Sequence, residues 1–273
     1  MSLLEKAKFL LRRHRIFPNR LLGQNFMVDF STSESMANYA SLNQNDTVLD
    51  IGAGLGFLTS FLADKCGTVL AVESDERLVA VLREQLGKLS NVKIIHGDVL
   101  KVHIPQFNKV VSIPPYSISS SLLLWLFGKN FDCAVLLFQK EFADRLTSFV
   151  GDENYGWLAV IAYYYAEIGV LDDVLRWMFY PEPEVDSVIV RLKPKKPPPF
   201  VLKNKTLFKQ LTQSLFTHRN RKVRNAVALF IKGAHIADSE NVTEVVESLS
   251  FCDKRVMELS PEDFGVLANV FVQ

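Results

Sequence analysis

The segment Asp50-Ile51-Gly52-Ala53-Gly54-Leu55-Gly56 places three glycines at alternate positions directly after an apolar, β-branched run. Glycine there permits a tight turn and lets backbone approach a ligand, and a strand-loop-helix of this kind holds nucleotide-type cofactors. The third glycine follows the second by two residues, whereas the dinucleotide fingerprint separates them by three. An acidic residue, Glu73, ends the next apolar run, Val69-Leu70-Ala71-Val72. A carboxylate at such a strand end can accept from both hydroxyls of a ribose. Asp98, in His96-Gly97-Asp98-Val99, follows a third run and is suited to accept from an adenine amine. Ser112-Ile113-Pro114-Pro115-Tyr116 follows a fourth. Its prolines stiffen the corner, and its ring offers a face on which a base can stack, a contact worth about 1–3 kcal/mol. Taken singly, each feature has a structural reading: a tight turn, a surface carboxylate, a loop cap, a buried ring. Together they fall at the ends of successive runs, where a ligand is expected.

These residues need a scaffold that gathers the carboxyl ends of several strands. Thr47–Ile51, Thr68–Glu73, Val92–His96 and residues 109–113 and 134–138 read as strands, while residues 57–65, 75–89, 118–127 and 140–149 carry helical spacing. The alternation predicts an α/β fold, a parallel sheet with helices on both faces. Residues 186–192 alternate and are expected to form a late strand at an antiparallel edge. Lys193-Pro194-Lys195-Lys196-Pro197-Pro198-Pro199 excludes helix and central strand and reads as a linker. Beyond it, residues 205–230 and 242–249 look helical, and Ser260-Pro261-Glu262-Asp263 reads as a helix start. Two domains are expected, residues 1–195 with a basic N-terminal arm and a small helical domain of residues 196–273. There is no internal repeat.

The chain of 273 residues is 48% hydrophobic, enough for a sizeable core. Its net charge of +1 hides an asymmetry. Residues 187–237 contain many Lys and Arg and no Asp or Glu, and the first twenty residues set Lys6, Lys8, Arg12, Arg13, Arg15 and Arg20 against Glu5 alone. Clustered cations suggest phosphate contacts. His218, Arg219, Arg221, Lys222 and Arg224 fall within two turns of the expected helix, which would pack through Phe216, Val223 and Val227. The widely spaced Cys66, Cys133 and Cys252 argue against a disulfide framework or a zinc site and fit a reducing cytoplasm. No signal peptide is visible, and the apolar runs are too short to span a bilayer.

An ordered set of motifs makes a resemblance specific. Leu22-Gly23-Gln24-Asn25-Phe26, the glycine loop, Glu73, Gly97-Asp98 and residues 112–116 are followed by Gln139-Lys140-Glu141, Tyr155-Gly156, Phe179-Tyr180-Pro181-Glu182-Pro183-Glu184-Val185-Asp186-Ser187, the basic segment 216–225 and Glu258-Leu259-Ser260-Pro261. Running nearly end to end, they resemble the KsgA-type small-subunit ribosomal RNA adenine dimethyltransferases. The resemblance implies a Rossmann-like class I methyltransferase domain with a small C-terminal helical domain, and S-adenosylmethionine as cofactor. It implies transfer of methyl groups to the N6 amine of two adjacent adenosines near the 3′ end of small-subunit rRNA, as part of ribosome biogenesis. Gln24, Asn25, Met27, Gly52, Gly54, Glu73, Ser74, Asp98, Val99 and Ser112 are the implied cofactor contacts. Tyr116 and Phe179 would hold the target base from its two faces, beside Ile113, Pro114 and Pro115. Arg219, Arg221, Lys222 and Arg224 would contact RNA. The expected partner is small-subunit rRNA or the assembled small subunit, bound by a monomer without membrane or metal.

One position departs from the pattern. The family motif reads Asn-Leu-Pro-Tyr or similar, and its Asn accepts a hydrogen bond from the target amine. Ungapped alignment on Pro115-Tyr116 puts Ile113 there, which has no acceptor. Loss of such a group can cost on the order of 10²–10³ in rate. The chain is expected to use the Pro114 carbonyl with water or Ser112, or to be slow and favour one methylation step; both rank above its having kept RNA binding alone as an assembly factor, because every cofactor motif is intact. An enzyme acting on large-subunit rRNA and a nicotinamide-dependent oxidoreductase are the competing classes. The long basic C-terminal part disfavours the first, and the glycine spacing disfavours the second.

Overall fold

The structure, a computed structural model, describes residues 1–19, 23–234 and 239–272. Arg20 and Leu22, and residues 235–238 at the end of the basic stretch, lie outside the described residues. The chain divides into two compact units, Met1–Ala143 with Ile168–Pro194, and Asp144–Glu167 with Lys195–Gln273. The proline-rich segment therefore marks one boundary, and residues 144–167 belong to the C-terminal unit.

The first unit is built on a seven-stranded sheet in the order β4-β3-β2-β5-β6-β9-β7. Strands β2 (Thr47–Ile51), β3 (Thr68–Glu73), β4 (Val92–His96), β5 (Lys109–Ser112) and β6 (Cys133–Gln139) run parallel. Strand β9 (Ser187–Pro194) pairs antiparallel with β6, Ala134 opposite Leu192. The late strand is thus antiparallel as its alternation predicts, but it is not the edge. β7 (Ala166–Val174) lies outside it.

Helices α2 (Phe30–Ala40) and α3 (Phe57–Ala63) pack Met36, Ala37, Leu58 and Leu62 into one core cluster with β-strand residues such as Val48, Val111 and Val135. Helix α4 (Glu76–Leu86) packs Leu82 and Leu86 against Ala53 and Ala71 in another. Burial by helices in this way explains the continuous apolar runs of β2, β3 and β6. Helix α1 (Leu3–Arg13) starts at a capping box, in which Glu5 N–H donates to Ser2 Oγ and Ser2 N–H to Glu5 Oε2. It is no free arm. Ala7, Leu10 and Leu11 are buried with Phe26, Leu55 and Leu78. Chain order fixes where a ligand belongs. The crossovers run from β2 out to β4, then return to β5 on the other side of β2. The switch point therefore lies between the carboxyl ends of β2 and β5, where open α/β sheets bind ligands.

The second unit contains α7 (Trp157–Tyr165), α8 (Lys205–Phe216), α9 (Val223–Ala234), α10 (Ser239–Ser248) and α11 (Pro261–Val270). Its core is aromatic. Phe216 stacks on Phe264 at 5.3 Å and meets Tyr155 edge-on at 5.6 Å. The Tyr155 hydroxyl donates to the Leu259 carbonyl at 2.9 Å, which ties two of the family-like motifs together as structure. The expected single helix over residues 205–230 is broken. Residues 217–222 form a turn whose backbone pairs with residues 252–257, through Val256 N–H to the Arg221 carbonyl and Val223 N–H to the Lys254 carbonyl. Thr217 and Asn220 are poor helix formers, and the strand-like partner outcompetes the helix.

Candidate active site

A cavity of about 260 Å³ opens at the switch point, between the glycine loop and the Pro-Pro-Tyr corner. All three loop glycines have positive φ, +74° at Gly52, +57° at Gly54 and +81° at Gly56. A Cβ on Gly52 would meet Pro115 Cδ at 2.9 Å, so the loop and the corner approach as closely as they do only because residue 52 lacks a side chain. Gly52 and Ala53 N–H donate to the Val72 carbonyl at 2.8 and 3.1 Å, which pins the loop to β3.

Glu73 lines this cavity and is held by three amides. Gly54 N–H donates to Oε2 at 2.9 Å, and Ser74 and Asp75 N–H donate to Oε1 at 2.8 and 2.9 Å. A carboxylate offers about four acceptor sites, so roughly one remains, on Oε2, for a ligand hydroxyl. The ribose contact expected at Glu73 would draw on the acceptor capacity these three amides leave. Asp98 and Val99 line the same wall. Asp98 Oδ1 caps the turn by accepting Leu100 N–H at 3.0 Å, and Oδ2 lies 3.4 Å from Lys101 Nζ. Ser74 also faces the cavity.

Gln24 and Asn25 close the cavity from the N-terminal side. Gln24 Nε2 donates to Asp75 Oδ2 at 2.9 Å, and Asp75, the N-cap of α4, is paired with Arg77 at 2.6 Å. Those hydrogen bonds, Arg77 foremost, bring the Asp75 carboxyl down to about 2. The Asn25 amide side chain has no hydrogen-bond partner among the described residues. A smaller pocket shares Asn25, Gly52, Gly54 and Ile113 with the first and adds Met27 and Asp50. Burial pushes the Asp50 carboxyl up to about 7, against the Thr59 hydroxyl that donates to it at 2.6 Å, and the nearby Glu73 charge adds to the rise.

At the corner, Ile113 and Pro115 line the cavity, whereas Pro114 is buried. Ser112 does not reach it. Ser112 is 0% exposed, accepts Ile51 N–H at 2.9 Å and donates to the Ile51 carbonyl at 2.7 Å, so it stitches β5 to β2. That removes Ser112 both as a cofactor contact and as a substitute acceptor. Tyr116 shares a 2.6 Å hydrogen bond with the Ser187 hydroxyl, and burial raises its phenol to about 12, so it stays protonated at neutral pH. Phe179 belongs to the same core cluster as Ile113 and Tyr116, 2% exposed, with no ring face open. It pairs in register with Met27 through the short ladder of β1 (Phe26–Met27) and β8 (Phe179–Tyr180).

The basic cluster is arranged differently from the expected helix. Arg219, Arg221 and Lys222 lie in the 217–222 turn, and only Arg224 is helical, in α9. Asp253 takes Lys222 at 2.9 Å and Arg224 at 3.3 Å, and Arg219 donates to the Glu153 carbonyl at 3.2 Å. The absence of nearby acids in the sequence is thus overturned by residues remote along the chain. Arg221 remains exposed. Sequence reasoning also missed Leu78 and Ile118 in the cavity wall and the anchors Thr59 and Asp75, and it quoted Phe26 and Ser187 only within longer motifs. The N-cap position of Asp75 is a local signal for one of these. The others depend on distant pairings. Among the described residues there is no group of three or more His, Cys, Asp or Glu that could hold a metal ion, and no helix long and apolar enough to cross a membrane.

Comparison with known proteins agrees with this architecture. The chain is 39% identical over 249 residues to a probable ribosomal RNA small subunit methyltransferase A of Methanosarcina acetivorans, covering 90% of this chain and 91% of that one. It is 38% identical over 265 residues to the corresponding protein of Thermococcus onnurineus, covering 95% and 94%. The crystal structure of a dimethyladenosine transferase from Plasmodium falciparum superposes with a TM-score of 0.77 at 28% identity, covering 88% of this chain and 94% of that one. The 23S rRNA methyltransferase ErmE superposes at 0.65 with 26% identity, over 91% and 100%. The sequence profile of the ribosomal RNA adenine dimethylases matches residues 18–254. With the glycine loop, the acidic strand ends and the corner residues Ile113 and Pro115 lining one cavity, the chain belongs to the ribosomal RNA adenine dimethylase family.

Proposed function

We propose that this protein transfers methyl groups from S-adenosylmethionine to the N6 amine of two adjacent adenosines near the 3′ end of small-subunit rRNA. The observation that carries the reading is the single cavity joining Glu73 and Asp98 at one end to Ile113 and Pro115 at the other. The relatives' names supply the substrate class, small-subunit ribosomal RNA.

The donor set suits an adenosyl cofactor. Glu73 has one acceptor site left for a ribose hydroxyl, Asp98 accepts from an adenine amine, and the glycine loop offers close backbone approach. Gln24, Asn25, Met27, Gly52, Gly54, Ser74 and Val99 complete the cradle. When bound, the cofactor supplies a methyl group already activated on a sulfonium. The protein's task is then to bring the adenine amine into line and accept its hydrogen bonds, so positioning and fixed electrostatics carry the catalysis. With no side-chain acceptor free at the corner, the amine's hydrogen bond falls to a backbone carbonyl, that of Pro114 or of Ile113. Tyr116, locked by Ser187, and the buried Phe179 brace the corner from the core side. Arg221 and its neighbours grip phosphates. In this reading the protein works as a monomer in the cytoplasm, where its three free cysteines suit a reducing compartment.

The test is tritiated-methyl transfer to undermethylated small subunits with the product nucleosides resolved. Label in N6,N6-dimethyladenosine is expected. Cofactor binding without any transfer would move the reading to a non-enzymatic assembly factor.

A further inference from the structure

A second concave surface lies at the carboxyl end of α1. Lys8, Arg12, Arg15, Phe17 and Tyr180 form its walls around about 570 Å³. The helix ends in a tight reversal. Ile16 N–H donates to the Leu11 carbonyl at 2.8 Å and Arg15 N–H to the Arg12 carbonyl at 3.1 Å, the two bonds of a Schellman cap, and Ile16 is buried beneath it. The next residue, Phe17, is 82% exposed.

A lone exposed ring is ordinary on a protein surface. Here it stands among cations that lack anions. Arg13 and His14 are drawn to Glu84 at 3.1 and 3.0 Å. No acidic side chain among the described residues pairs with Lys8, Arg12 or Arg15. Arg12 Nε donates only to the Lys8 carbonyl at 3.3 Å, and Lys8 Nζ sits 5.1 Å over the Tyr180 ring. Arg15 has φ +53°, the left-handed region where glycine is the usual residue and other side chains are strained. The turn thus carries a cation where backbone geometry alone favours glycine.

We propose that this groove is a second nucleotide subsite, in which an unpaired base of the substrate RNA stacks on Phe17 while Arg12, Arg15 and Lys8 neutralise its phosphates. The proposal rests on the rRNA substrate reading above. An aromatic face beside several cations is the combination that binds single-stranded nucleic acid without reading its sequence. The groove and the cavity are linked through the β1–β8 ladder. Tyr180 lines the groove and is the register partner of Phe26, which lines the cavity. A nucleotide held there adds binding energy for the RNA outside the cavity.

The test is titration of the full-length protein with a short fluorescein-labelled oligoadenylate over a range of salt. Phe17→Ala is expected to raise Kd roughly 5- to 150-fold, the equivalent of about 1–3 kcal/mol of stacking. Arg15→Gly relieves the backbone strain, so Tm is expected to hold or rise while the slope of log K against log salt flattens by about 0.7. Both variants are expected to keep their affinity for S-adenosylhomocysteine and to raise KM for undermethylated small subunits at unchanged kcat. A Kd within about twofold of the parent for Phe17→Ala, with an unchanged salt slope for Arg15→Gly, overturns the proposal. Failure of the parent protein to methylate small subunits overturns the substrate reading instead, and the oligoadenylate titration still decides the groove.

Discussion

Replacing Ile113 with asparagine returns a side-chain acceptor to the corner where the target amine is expected to dock. Ile113 lines both the main cavity and the smaller pocket beside it. Its neighbours offer little in its place. The Ser112 hydroxyl is committed to Ile51, and the Tyr116 hydroxyl to Ser187. The Pro114 carbonyl accepts no hydrogen bond from the described residues. An unmodified adenine amine brings two N–H donors to a corner with no free side-chain acceptor, where the Pro114 carbonyl is proposed to take one of them. An unpaired donor in a water-poor site costs about 1–3 kcal/mol, so Ile113→Asn is expected to speed the first methyl transfer roughly 5- to 150-fold. The second transfer starts from an N6-methyl amine with a single N–H, which the carbonyl satisfies alone, and its rate is expected to change by less than about threefold. Single-turnover transfer to unmethylated subunits and to subunits carrying N6-methyladenosine separates the steps. Ile113 is half-buried against the core cluster, so the variant is expected to lose about 1–2 kcal/mol of stability, and folded fractions are matched before rates are compared. Equal acceleration of both steps, or of neither, refutes the missing-acceptor reasoning.

Gly52→Ala adds a Cβ 2.9 Å from Pro115 Cδ at φ +74°, and is expected to weaken S-adenosylhomocysteine binding at least about tenfold by calorimetry. Unchanged affinity would show that the loop does not cradle the cofactor. Asp50, raised from 3.8 to about 7, holds a proton in the folded chain that the unfolded chain has released, so its contribution to stability falls as pH rises from about 4 to about 7 and levels above that. Denaturant titrations are expected to show a flatter pH profile for Asp50→Asn over that window, and an unaltered slope counts against a protonated Asp50. Arg221→Ala is expected to weaken RNA binding and lower the salt slope by about 1, more than Lys222→Ala, because Asp253 already neutralises Lys222. Equal effects would deny the ion pair that role.

What the sequence makes legible here is what each segment decides for itself. The glycine loop, Glu73 and Asp98 sit at strand ends bounded by apolar runs, and β2, β3 and β4 follow those runs residue for residue. Helix α7, Trp157–Tyr165, carries no such signal, because all of its residues are apolar or aromatic and a helix buried all round loses its period. Strand β7 reads Ala166-Glu167-Ile168-Gly169-Val170-Leu171-Asp172-Asp173-Val174, a mixed pattern suited to an exposed outer strand rather than a buried one. The basic segment fails for a different reason. Its turn is held by residues 252–257 and its charges by Asp253, some thirty positions onward, so local helical spacing is overruled by a pairing that no window of sequence contains.

The same distinction decides the chemistry of the corner. A serine preceding Ile113-Pro114-Pro115-Tyr116 is a candidate acceptor as long as nothing else claims its hydroxyl. The claim comes from Ile51, sixty-one residues earlier, on the neighbouring strand. Tyr116 is likewise claimed by Ser187, seventy-one residues later. Both bonds cross the sheet and serve to hold the corner rigid against the glycine loop. Rigidity is what a site needs when its work is alignment rather than proton transfer. The Ser112 hydroxyl, a candidate acceptor in the sequence, is therefore spent on preorganisation, as is that of Tyr116, and in the proposed reaction the capacity to accept from the target amine falls to a backbone carbonyl beside the Ile113 side chain.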